Sequence, residues 1–503
     1  MLLRRVPSAG AFRRGFVCGA VFVRRIAVIL ATCQFIGGGS AQHLDRMHYP
    51  ERLHEDLELL RTALHEAHPD PYRYHTRAEL DALIDAVRDS ITTPMSIVGF
   101  QELVNHVLKA VGDSHCRSAW PIELEEELNT RIPLIPLQVR LLPEGVFLES
   151  ELKGFRSIPV GSRMLSINGL DMDIIRARLV NGVVADGANR TYAERVVERE
   201  FPQRYCAHIG HSTAFRVRYV TPSKEIGEQE VFALTGEEIA RSRKPNGAAL
   251  LPWGSTWYPE SSTMWVTLRT LDHDSLMASG QRPDRILQGM LSEAQAEGAR
   301  TLVLDVRGAG GNELAVAQLI HSMIAKASFT MLDDLIIRSV AAPEDRPSHD
   351  IPAEFYASVD PGSLVADQGR YRLPDRDERL AQHEPNERVF QGKVYLVCDG
   401  GTRDAAAALV MMAKRTGRAR IVGEETGSNA LAFTGGPQWT VTGRGTGMRF
   451  FIPLLKYVPS GRVEGPVDRG EQPHHAVTAV PASLAQGRDS IKNALLEMIR
   501  ELQ

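Results

Sequence analysis

Leu53, Leu57, Leu60 and Leu64 recur at i, i+4, i+7 and i+11, which lays one apolar stripe along a helix. The stretch "HPDPYRYH" then breaks the chain. Beyond it Thr76 and Glu79 have the spacing of a capping box, ahead of a second stripe of Leu80, Ile84, Val87 and Ile91. Thr93-Pro94 predicts the opening of a third helix carrying Phe100, Leu103 and Val107. Residues 48–120 therefore read as a small helical cap.

From 121 to 235 the pattern changes to short strands separated by turn residues. Within it, "GVFLESELKGFRSIPVGSRMLSINGLDMDIIRARL" reads as strand, Pro-Val-Gly turn, strand, Asn-Gly turn and helix. Its Val160-Gly161 and Ile167-Asn168-Gly169 resemble a PDZ domain, which implies a groove that takes an extended peptide as an added strand. A plain β-domain with only a structural role fits the same pattern. Residues 250–500 alternate strands with helices, as an α/β domain does. "TMWVTL", "ARTLVLDV", "KVYLVCD" and "ARIVGE" are strands, "PDRILQGMLSEAQAEG" and "AAAALVMMAKRTG" are helices, and "QWTVTG" with "MRFFIPL" adds a later strand pair. Unbroken apolar runs such as Val394-Tyr395-Leu396-Val397 suit strands covered on both faces. The fold class expected is thus multidomain α/β.

The 503-residue length fits such a division at about 150 residues per domain. The formal net charge of −4, without a basic excess, argues against nucleic acid as a partner. Residues 1–41 stand apart: Arg4, Arg5, Arg13, Arg14, Arg24 and Arg25 precede "IAVILATCQFIGG", with small residues at Gly39 and Ala41. This is the pattern of a secretory signal, and the apolar run is short of the ~20 residues a membrane span needs. The expected mature chain is exported, periplasmic or extracellular, with no transmembrane span. "LATC", ending at Cys33, has threonine where a lipobox does not, so a lipoprotein is not expected. Removal of the signal leaves Cys116, Cys206 and Cys398, too few and too scattered for a disulfide framework or a metal site. No metal or other cofactor is expected.

Three stretches carry chemistry. "LVLDVRGAGGNE" places Gly308, Gly310 and Gly311 past a strand end, where glycine lets backbone N–H groups turn toward a ligand. It lacks the spacing and lysine of a phosphate loop. "AVGDSHCRSAW" gathers Asp113, Ser114 and His115. "DGGTRDAAAALVMMAK" runs from a Gly-Gly turn into an alanine-rich helix with Asp404 at its start.

Taken in order, "HPDPY", "GDSH", the PDZ-like run, "LVLDVRGAGG" and "VYLVCDGGTRDAAAALVMMAKRTGRARIVGEETGSNA" resemble the tail-specific, or C-terminal-processing, serine peptidases. The likeness is to the branch of the tricorn core and the interphotoreceptor retinoid-binding protein, and it spans nearly the whole mature chain. It implies that Gly310 and Gly311 help form an oxyanion hole, completed by Ala405 after the nucleophile. It further implies His115 as general base with Ser114 beside it, and Glu464 in "GRVEGPVDRG" as the glutamate of the tetrad. At the nucleophile position, however, stands Asp404. No serine lies between Asp399 and Thr426, and Thr402 serves only if the turn is remodelled. Asn429 falls where the lysine-dependent branch has its base, and Pro473-His474 replaces the family's Pro-Asp.

A carboxylate attacks an amide poorly and adds negative charge where an oxyanion must develop. At a helix start it would instead accept N–H bonds, or pair with His115 across the site. Two readings follow: an exported homologue that engages peptides or unfolded protein tails with weak or no proteolysis, or an active serine-type endopeptidase.

Overall fold

The computed structural model describes residues 43–152, 157–243, 251–311, 313–341, 349–350, 352–463 and 465–502. The expected signal at 1–41 and Glu464 lie outside them.

The helical layer comprises Pro50–Glu66, Arg77–Ser90 and Ile97–Val111. Leu53, Leu57, Leu60 and Leu64 are fully buried, each contributing about 1.5–3 kcal/mol by leaving water. Thr76 accepts from the Glu79 N–H while the Glu79 carboxylate accepts from the Thr76 N–H, closing the capping box. The third helix does not open at Thr93-Pro94. Ser96 supplies the capping oxygen, accepting from the Gly99 N–H, and Met95–Ser96 forms a short strand against Met47–His48 instead.

Between 121 and 235 lies a six-stranded antiparallel sheet, built from Leu137–Leu142, Gly145–Glu151, Arg163–Ile167, Leu170–Asp171, Ala214–Val220 and Ile226–Phe232. Its inner face and the helix Met172–Asn181 close over their own apolar cluster, which includes Leu148, Ile167, Ile175 and Val217. The strand reading of this region misses two helices, Ile122–Thr130 and the 19-residue Arg190–His208. In the latter, Tyr192, Val196, Val197, Phe201 and Tyr205 make a helical stripe among many charges, and the helix kinks at Glu200 ahead of Pro202.

The C-terminal domain holds a six-stranded sheet in the order Trp253–Tyr258, Thr263–Leu268, Thr301–Asp305, Lys393–Cys398, Arg420–Gly423, His475–Ala476. The first pair is antiparallel and the rest run parallel. Helices Pro283–Ala296, Leu314–Ser322 and Asp404–Arg415 cover one face, and Ser490–Glu501 covers the other. Both faces are therefore dry, which is why these strands carry no polar alternation.

The hairpin Phe433–Thr442 with Arg449–Pro459 joins the helical layer to this domain. Trp439, Val441, Phe450 and Ile452 complete the apolar cluster of the helices, while Phe433, Leu455 and Tyr457 belong to that of the α/β domain. One pair of strands thus supplies side chains to two cores.

Candidate active site

The site forms past the C-terminal ends of the parallel strands, where α/β sheets gather their ligands. After Lys393–Cys398 the chain turns through Asp399–Thr402 into the helix Asp404–Arg415. The Asp399 carboxylate knots the turn by accepting from the Gly401 and Gly308 N–H groups, at 2.9 and 2.8 Å. Gly400 is required here, because a Cβ would meet the Thr191 backbone at 2.2 Å. The Thr402 hydroxyl is buried and donates to the Val306 carbonyl at 2.8 Å, so it holds the turn and is not presented to a substrate.

Asp404 enters the helix with φ +56°, a conformation costly for a residue with a Cβ. Its backbone N–H donates to Ser428 Oγ, itself fully buried, at 2.8 Å. The expected capping role is not what the side chain plays, since it accepts no N–H of its own helix. Instead the carboxylate is held between two cations. Oδ1 stands 2.8 Å from His115 Nε2, and Oδ2 stands 3.2 Å from Arg403 Nε. The contact with His115 is an ion pair out of line with the ring N–H, because neither atom has an aligned hydrogen-bond partner. Arg403 also donates to the Tyr192 hydroxyl at 3.1 Å.

His115 follows the end of the helix Ile97–Val111, which stops at Gly112 in the left-handed conformation. Its backbone N–H donates to Asp113 Oδ1 at 2.9 Å, and its Nδ1 lies 3.9 Å from the same oxygen. Asp113 is buried and well partnered: the Thr434 hydroxyl lies 2.7 Å from both of its oxygens, and His68 Nε2 lies 3.0 Å from Oδ2. Since His68 Nδ1 accepts from the Asp70 N–H, its proton sits on Nε2 and points at Asp113. The Ser114 N–H donates to Asp186 Oδ1, whose Oδ2 accepts from the Asn429 N–H.

The charges follow from these contacts. Burial pushes the Asp404 carboxyl up, but His115 and Arg403 outweigh it and hold the group below the usual carboxylate range. Burial pushes His115 down, but Asp404, with help from Asp113, raises it above the usual imidazole value. Asp113 likewise stays well below its ordinary value because His68, His115 and Thr434 outweigh burial. Asp186 goes the other way, raised by burial and by Asp113 nearby. Both directions favour an imidazolium–carboxylate pair with a second carboxylate behind it.

Gly310 and Gly311 lie against this pair. A Cβ on Gly310 would stand 3.5 Å from Asp404 Oδ2, and one on Gly311 would meet the Leu271 backbone at 2.4 Å. Among the described residues no acceptor takes the N–H of Gly310 or Gly311. The Ala405 N–H is engaged, donating to the Gly311 carbonyl at 3.0 Å. Asp404, His115, Gly310, Gly311 and Ala405 are thus brought together, Ser114 adjoins them through its backbone, and Glu464 is not described. Asn429 and His474 serve elsewhere: the Asn429 side chain bonds Tyr74 and the Val467 carbonyl, and His474 Nδ1 accepts from Ile421. Sequence reasoning singles out Asp113 without giving it a role, and misses His68, Arg403, Tyr192, Asp186 and Thr434. Of these only Arg403 carries a signal, being the neighbour of a residue already singled out. Among the described residues no cluster of three or more His, Cys, Asp or Glu side chains is arranged to hold a metal, and no helix is long and apolar enough to cross a membrane.

Comparison with known proteins places this architecture. Residues 276–450 match the family model for peptidase family S41. Among solved structures, a point mutant of CPAF aligns with a TM-score of 0.66 at 13% identity, over 90% of this chain and 97% of that one. Mature CPAF complexed with lactacystin aligns with a TM-score of 0.62 at 13% identity, over 90% and 98%. Mature CPAF alone gives 0.61 at 14%, over 90% and 97%. At such identities the likeness speaks to the fold. No curated protein sequence matches. The match to peptidase family S41 runs across the strands and loops that carry Gly310, Gly311 and Asp404, and the fold is shared with CPAF over nine-tenths of the chain, so the chain is similar to that family in its C-terminal domain and in its architecture.

Proposed function

We propose that this protein engages extended peptides or unfolded protein tails in the cleft beside Asp404 and does not cleave them by serine-type attack. One observation carries the reading: the side chain at the nucleophile position is a carboxylate, 2.8 Å from the imidazole that would otherwise take a hydroxyl proton. The base is thereby occupied as a cation, and the negative charge lies against the Gly310 cradle where an oxyanion would have to form. Two hydroxyls at the turn, those of Thr402 and Ser428, are buried in backbone contacts.

The PDZ-like domain is the second peptide surface in this reading. Among the described residues its strand Ile226–Phe232 ends the sheet with one edge unpaired, and Ile226 and Phe232 are exposed, which supports strand addition. We place the mature protein outside the cytoplasm on the strength of its arginine-flanked apolar leader. An intact mass that retains residues 1–41 in cell-derived protein would remove that placement.

The functional test pairs two measurements on the purified chain. Unstructured peptides should bind, by fluorescence anisotropy, and come back uncut by mass spectrometry. A fluorophosphonate probe, which labels only an activated hydroxyl, should leave the protein unmodified. Specific labelling together with peptide hydrolysis would establish the active serine-type endopeptidase instead.

A further inference from the structure

Beside the Asp404–His115 pair lies a cavity of about 420 Å³, between the helical layer and the helix Arg190–His208. Ser114, Tyr192 and Arg403 belong both to its wall and to the surroundings of the pair, so whatever fills it lies next to the cleft. Its charges are unevenly matched. Arg199 and Arg204 share Glu200, Glu125 pairs with Arg449, and Arg403 pairs with Asp404. His208 faces Glu102. Arg117 alone among the cavity's arginines has no carboxylate partner among the described residues.

Arg117 is nonetheless held in place. It lies on the short strand Arg117–Ala119, which starts two residues after His115 and pairs with Arg449–Phe451. Its guanidinium carbon stands 3.8 Å from the centre of the Phe451 ring, a cation–π contact that holds the head against the ring. The charged groups facing it are Arg403, Arg449 and the Glu200 carboxylate that Arg199 and Arg204 share, with the Tyr192 hydroxyl alongside. Arg117 is solvent-exposed where it lines the cavity, with the like charges of Arg403 and Arg449 nearby. Arg403 on the cavity wall and Arg449 nearby are already paired with Asp404 and Glu125, so Arg117 is the positive charge that a ligand anion would neutralise. The guanidinium fork matches a carboxylate in two parallel hydrogen bonds.

We propose that this cavity is a carboxylate subsite, in which Arg117 anchors an acidic group of the bound peptide beside the Asp404 position. The proposal rests on the peptide-binding reading above and deepens it by naming the substrate class. A side-chain carboxylate and a free chain terminus present the same group, and the experiment separates them.

The test uses the full chain and fluorescein-labelled decapeptides of Gly, Ser and Leu. One carries a central Glu with an amidated end, a second the same sequence with Gln, and a third the Gln sequence with a free C-terminal carboxylate. Anisotropy should show the Glu peptide, the free-carboxylate peptide or both binding about ten-fold or more tighter than the neutral one, as charge-assisted hydrogen bonds to a fixed arginine imply. Which of the two gains identifies the source of the carboxylate. Arg117→Gln should collapse that ratio toward one, Arg117→Lys should keep part of it, and Arg117→Glu should transfer the preference to a peptide with a central Lys. Equal affinity of the wild type for all three peptides overturns the subsite while leaving peptide binding standing, and needs no variant to fold. An acid preference that Arg117→Gln leaves intact overturns it as well. If no peptide binds at all, the peptide-binding reading falls and takes the subsite with it.

Discussion

Replacing Asp404 by serine runs the proposed loss of chemistry backwards. The substitution removes the carboxylate that holds His115 protonated and Arg403 in place, and sets a hydroxyl at the same φ +56° elbow. Deleting the nucleophile of a serine peptidase costs on the order of 10⁶ in rate, the size of gain a complete site would return. This site is one donor short, because the Ala405 N–H is spent on the Gly311 carbonyl. An absent oxyanion donor costs about 10²–10³, so the expected gain of Asp404→Ser over wild type is about 10³–10⁴. Quenched fluorescent peptides, with mass spectrometry of the products, measure it. Fluorophosphonate labelling should appear in Asp404→Ser, and adding His115→Ala should remove most of the gain, because the hydroxyl needs its base. The reasoning is refuted by wild-type hydrolysis that survives Asp404→Ala. It is also refuted by an Asp404→Ser protein that melts as a folded chain, binds peptide and takes no label.

The pair also sets a pH signature. His115 is raised above 6.5, so its share of the pair's stability is complete below about pH 6.5 and is lost as pH climbs through its folded value. Asp404 is lowered below 3.8, so its share is present above about pH 4 and is lost only on acidification through the folded value. The stability difference between wild type and Asp404→Asn, from urea unfolding, should therefore shrink as pH rises above about 6.5, and a constant or growing difference would count against the ion pair. Gly400→Ala should lose roughly 3 kcal/mol or more, because its Cβ would fall 2.2 Å from the Thr191 backbone, and a melting curve superimposable on wild type would contradict that contact.

How much of this was readable from the sequence depends on distance along the chain. The leucine stripe from Leu53 to Leu64 and the parallel strands were legible because a period of 3.6 or an unbroken apolar run is local. The start of the third helix was not, because Thr93-Pro94 looks like an opening and only geometry shows that Ser96 reaches the Gly99 N–H. Arg190–His208 hid its stripe among charges that the structure spends on neighbours such as Glu194, Glu198 and Glu200. At the site, charge alone suggested that Asp404 and His115 would pair, but the backbone conformation that turns the carboxylate away from its own helix is invisible in a string of letters. Asp113 illustrates the limit best. Its partners His68 and Thr434 lie 45 and 321 residues away, and no pattern joins them before the chain folds.

The hairpin shared between two cores has a consequence for how the chain is made. The helices that end at Val111 leave the ribosome early, yet Trp439 and Phe450, which complete their apolar cluster, come roughly 330 residues later. At about 5–20 residues per second, that cluster stands open to water for about 16–65 s of synthesis. During this interval the nascent chain presents an unfinished greasy face to whatever shares its compartment, so a holding chaperone has a defined segment to cover and a defined strand whose arrival releases it. A chain truncated anywhere before Phe433 never reaches that release.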